Sequence, residues 1–96
     1  MSGLFVGVLR AEIVIPGSAS LKDKRRVLRS LIERVRGRFG VSCAELGAQD
    51  LWQRSVVGVA CISGSSAEAL ETVENVLSWM ERQDDFEVIG VLKEVR

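Results

Sequence analysis

The chain has 96 residues, 47% hydrophobic and 27% charged, with thirteen basic and thirteen acidic side chains and no histidine. That length supports one domain, residues 1–96, burying roughly two thirds of the surface its unfolded form exposes. The lack of histidine removes the usual general base, the usual zinc partner and the Ser-His and Cys-His nucleophile systems together.

The expectation is therefore a non-enzyme with no metal and no cofactor. The apolar start "MSGLFVGVL" has no basic n-region and soon meets Arg10 and Glu12. It is too short for a signal peptide or a membrane span, so a cytoplasmic protein without a membrane partner is expected. Cys43 and Cys61 stand eighteen apart, outside any CxxC pattern. In a reducing cytosol they read as small buried hydrophobes rather than a disulfide.

Phe5, Gly7, Leu9, Ala11, Ile13 and Ile15 alternate with Arg10 and Glu12. That period of two predicts a long first strand with one core face. Pro16-Gly17 ends it. Ser20 stands three residues before Asp23, the spacing of a capping box that opens a helix. Leu21, Leu28, Leu31, Ile32, Val35 and Phe39 then fall on one arc at helical spacing, and Gly40 supplies a left-handed stop. "VSCAELGA" (41–48) reads as a shorter strand and "QDLWQ" as the connection out of it. "RSVVGVACIS" (54–63) is apolar on both sides, as a central strand is. Ser65 and Glu68 form a second capping box. Leu70, Val73, Val76, Leu77 and Met80 are the expected buried stripe of that second helix, and "FEVIGVLKEV" (86–95) is the last strand.

The order βαββαβ is that of the split βαβ, or ferredoxin-like, α+β sandwich. Right-handed crossovers put both helices on one face of a four-stranded antiparallel sheet of order 4-1-3-2. The other face is bare and shows Leu4, Val6 and Val8 along the first strand. Such an apolar face calls for a partner, and a homodimer is the plain expectation.

The charges are unevenly placed. Residues 22–38 hold eight cations against Asp23 and Glu33, a net of +6, while residues 66–87 hold seven acidic groups against Arg82, a net of −6. Relative to Leu28, the residues Lys22, Arg25, Arg29 and Arg36 fall along one flank, with Arg26 just beyond. Lys24, Arg34 and Arg38 are assigned to the other flank. Three readings of this cation cluster stand side by side: a solvated helix face, an RNA backbone, or an acidic protein surface. Like charges at i, i+4, such as Lys22/Arg26 and Arg25/Arg29, repel, which favours an anionic partner outside the helix.

Base stacking on the central strands is not expected. The first strand offers only Phe5, on its core side, and the third has no aromatic. An RNA partner, foremost a ribosomal subunit, would instead be met by Lys22, Arg25, Arg26, Arg29 and Arg36, with Lys24 and Arg54 as outliers. "IPGSAS" precedes a helix N-terminus but has neither the P-loop nor the dinucleotide pattern, so it reads as a turn and cap. Trp52 is either a ring folded over the core edge or a contact surface, and Trp79 is a flanking core residue. The reading from another class is a homodimeric small-molecule-sensing or protein-interaction domain.

"LKDKRRVLRSLIERVRGRFGVSCAE" followed by "QDLWQRSVVGVACIS" resembles the YlxP-like proteins, a small bacterial family of unknown function. The matching positions are Ser20, Leu21, Lys22, Asp23, Lys24 and Arg25, then Ala44, Glu45, Asp50, Trp52, Gln53 and Arg54. The resemblance implies a ferredoxin-like fold and a gene neighbourhood shared with transcription and translation-initiation factors and a ribosome-binding factor. It implies no catalytic residues.

Overall fold

The computed structural model describes residues 3–47 and 51–96. The elements follow as β1 (Phe5–Val14), α1 (Leu21–Phe39), β2 (Ser42–Gly47), β3 (Arg54–Ser63), α2 (Ser66–Glu81) and β4 (Glu87–Val95). All strand pairs are antiparallel, in the order β2-β3-β1-β4. This is the ferredoxin-like arrangement that the chain order predicts.

Local chemistry starts and stops the helices where the caps predict. Ser20 Oγ accepts the Asp23 amide at 3.1 Å, and Gly40 ends α1 at φ 62° with its amide on the Arg36 carbonyl. Ser65 Oγ accepts the Glu68 amide at the start of α2. Each cap satisfies a group that the helix end leaves unpaired.

The core lies between one sheet face and both helices. Leu9, Ala11 and Ile13 from β1 and Val57 and Val59 from β3 meet Leu28, Leu31 and Val35 from α1 and Val73, Val76 and Met80 from α2. Helix α1 lies over β2, and α2 covers β1, β3 and β4. At Gly7 the approach is close: an added Cβ would stand 2.7 Å from the Ala69 carbonyl oxygen.

That contact corrects the predicted stripe of α2. Leu70 is exposed and Ala69 is fully buried in its place, where the α2 backbone passes directly over Gly7. The stripe is rotated toward Trp79, which is buried and meets the Phe39 ring edge-on with centroids 6.2 Å apart. Three described boundaries also move inward, Val41 being buried just before β2. Ile15 is buried but follows β1, its N–H donating to the Gln53 carbonyl, and Phe86 is buried just before β4. The predicted β2 residue Ala48, with Gln49 and Asp50 of the connection, lies outside the described residues.

The opposite sheet face carries no helix. Leu4, Leu46, Ile62 and Leu92 are all more than half exposed there. Register places Val8 against Ala60 and Arg10 against Gly58 and Leu92. The small residues Ala44, Gly58 and Ala60 floor a hollow of about 630 Å³ bordered by Val8, Leu46 and Leu92.

Candidate nucleic-acid interface

Helix α1 owes its place to Leu28, Leu31 and Val35, which bury one side and turn the other to water. Five of the seven predicted contact residues belong to that outer side. Lys22, Arg25, Arg26, Arg29 and Arg36 are exposed. Their partners differ, and the differences decide what each can do.

Lys24 is not on the surface. It is 1% exposed, on the line of Leu28 and Leu31, with Nζ 3.4 Å from Glu45 Oε2. Ser55 Oγ donates to the same carboxylate oxygen at 2.6 Å. This cluster ties α1 to β2 and β3. The predicted RNA contact at Lys24 is therefore corrected: its ammonium faces the protein interior. The signal was present in the spacing, because Lys24 stands four residues before Leu28 and seven before Leu31.

The C-terminal cations of α1 are also engaged. Arg34 reaches Asp85 at 3.0 Å and Gln83 at 3.1 Å, and its guanidinium lies 5.2 Å from the centre of the Trp79 ring. Arg36 Nη2 donates to the Cys43 carbonyl at 2.7 Å, covering an edge group of β2. Arg38 lies over the Phe39 ring. Arg26 pairs with Asp23 at 2.8 Å, and Asp23 also accepts the Ala19 amide.

Lys22, Arg25 and Arg29 remain. None makes a hydrogen bond or ion pair with a described residue, and with Arg26 they border a groove of about 660 Å³. Arg54 is exposed at the start of β3, beside exposed Trp52 and Leu51. The interface legible in the structure is thus three cations unpaired among the described residues, on two turns of helix, with Arg26 at its margin, while Arg54 alternates with core-facing Ser55 and Val57 and so falls on the helix-free side of β3.

Two of the chain's nucleophilic side chains, Cys43 and Ser55, are withdrawn from solvent. Cys43 is buried, and loss of water raises its thiol from 9.0 to about 11, against a smaller opposing pull from Arg36. Ser55 is 2% exposed with its hydroxyl held by Glu45. Both cysteines are free. No helix among the described residues is long and apolar enough to cross a membrane.

Sheet order, crossovers and the two caps define a small ferredoxin-like α+β domain. Residues 6–92 match the family described as "Protein of unknown function (DUF503)", and the chain belongs to that family. It is 35% identical over 82 residues to the uncharacterized protein YlxP of Bacillus subtilis (strain 168), a match spanning 85% of this chain and 89% of that protein. The resemblance carried by the α1 and β3 strings is thus matched across the fold.

Proposed function

We propose that this protein is a non-catalytic binder of an RNA backbone, held by the outer face of α1. The observation that carries this is the unpaired trio Lys22, Arg25 and Arg29, set on a helix whose inner side is locked into the core. A helix that engages five of its eight cations internally and leaves three adjacent ones facing water retains mutual repulsion that bound phosphates relieve. A non-catalytic role is supported by the missing histidine, the buried Cys43 thiol and the enclosed Ser55 hydroxyl. Neutralising about three to five phosphates predicts a slope of log affinity on log salt of roughly −2 to −4. A ribosomal subunit is the first RNA to test, by co-sedimentation of the tagged chain at low and high salt. Salt-sensitive binding that Arg25→Glu with Arg29→Glu abolishes is expected. Identical distribution of wild type and double variant at low salt would leave α1 a solvated face.

A second reading, compatible with the first, is a homodimer through the bare sheet face. Leu4, Ile62, Leu46 and Leu92 lie there exposed beside the hollow. The charges of that face balance, with Arg10 beside Glu12 and Arg96 beside Glu94, so two copies meet without net repulsion. Four strands at their usual spacing present about 600 Å² of plane, near the roughly 800 Å² per partner of a stable interface. Sedimentation should give a dimer that Val6→Asp with Val8→Asp splits. A wild type monomeric at micromolar concentration would end this reading, and a metabolite that raises the melting temperature would turn the hollow into a sensor site.

A further inference from the structure

We propose that the RNA is taken as a single strand, with one base stacked on Trp52 next to the phosphate track of α1. This rests on the RNA reading above and names the class of RNA. The two tryptophans of the chain are in opposite situations. Trp79 is 8% exposed and packed between Phe39 and Arg34. Trp52 is 53% exposed and makes no ring contact or hydrogen bond with any described residue.

The segment bearing Trp52 is nonetheless pinned. Val14 pairs with Arg54 at the end of β1, and the Ile15 N–H donates to the Gln53 carbonyl at 2.8 Å. Gln53 Nε2 donates to the Ser18 carbonyl at 3.3 Å, and Ser18 Oγ donates to the carbonyl of Ser20, the N-cap of α1. These bonds tie Gln53 and Arg54, the residues that follow Trp52, to the turn that precedes Lys22 and Arg25 in the chain. An exposed indole beside an anchored residue offers a sequence-tolerant stacking surface.

The electrostatics of this end agree. Among the described residues, Asp23 is paired with Arg26 and Glu45 with Lys24. The charges of Lys22 and Arg25 on α1, and of Arg54 two residues after Trp52, have no described partner. Phosphate contacts explain affinity for any nucleic acid, but an indole adds affinity only where a base is unstacked. Base pairs in a duplex already have both faces covered.

The test measures the full-length chain against a labelled oligoadenylate of about twelve nucleotides and against its duplex with oligouridylate. Single strand should bind more tightly than duplex, and Trp52 emission should fall on binding, with Trp52→Phe leaving only the buried Trp79 signal. Trp52→Ala should weaken single-strand binding about 5- to 100-fold at an unchanged melting temperature, while Trp52→Phe restores most of it. Arg25→Glu with Arg29→Glu should weaken single strand and duplex alike. If Trp52→Ala leaves single-strand affinity unchanged while the arginine pair still matters, the stacking site is wrong and the backbone reading stands. Equal affinity for the two forms likewise rules out the stacking site. A wild type that binds neither form at low salt overturns both.

Discussion

Both halves of α1 are basic, and they put the charge to different use. In the first half only Lys24 turns inward, to Glu45; Lys22, Arg25 and Arg29 face water without described partners, and Arg26 shares itself with Asp23. In the second half, Arg34, Arg36 and Arg38 are bound to Asp85, to the Cys43 carbonyl and to the Phe39 ring. A net charge of +6 over residues 22–38 therefore overstates what a partner would meet. Charge counted along a segment is not charge available on a surface, because long side chains fold back wherever an acceptor lies within reach.

The largest expected effect tests the boundary between the two uses. Lys24→Met removes the buried cation and leaves Ser55 as the described hydrogen-bond partner of Glu45. Breaking such a pair costs several kcal/mol when fully buried. Glu45 keeps 23% of its side-chain surface in water, so a loss of about 2–3 kcal/mol in urea unfolding is expected. A change below about 0.5 kcal/mol, the scale of an ordinary surface substitution, would show that Lys24 is not the tie between α1 and the sheet.

Next, charge reversals in the two halves separate them directly. Arg25→Glu with Arg29→Glu should weaken RNA binding about 10- to 100-fold at low salt and flatten the salt slope by roughly 1.5 to 2. Arg36→Glu with Arg38→Glu should change binding less than about threefold, yet lower stability through the lost carbonyl and ring contacts. Equal losses of affinity from both pairs would erase the contrast.

Arg34→Ala sharpens it on the stability side. The guanidinium is about one third exposed and holds both Asp85 and Trp79. A cost of about 1 kcal/mol is expected, with no effect on RNA affinity. The smallest effect appears only in alkali. Because burial raises the Cys43 thiol from 9.0 to about 11, the unfolded chain ionises first as pH rises. The stabilising preference for the neutral thiol is complete below pH 9 and is lost between pH 9 and 11. Unfolding measured across that window should show the decline in wild type and a shallower one in Cys43→Ala.

How much of this was legible before folding varied by residue. The caps at Ser20, Ser65 and Gly40 and the alternation from Phe5 to Ile15 named the elements, and the element order then admitted one sheet topology. The cation cluster was legible as a cluster. Its division was only half so: Lys24 lies on the same helical line as Leu28, but its apolar neighbours do not reveal that Glu45 waits opposite.

Sequence by itself determined what rests on near neighbours: helix ends, strand alternation, the order of elements and the outward face of Lys22, Arg25 and Arg29. A capping hydroxyl and its amide are three residues apart, so their pairing is written locally. Tertiary structure alone decided which cations stay free. Arg34 meets Asp85 across 51 residues and Ser55 meets Glu45 across ten. The exchange of Leu70 for Ala69 likewise came with the angular setting of α2 on the sheet, where its backbone passes over Gly7. Such pairings follow from the distance between packed layers, a quantity no stretch of neighbouring residues contains.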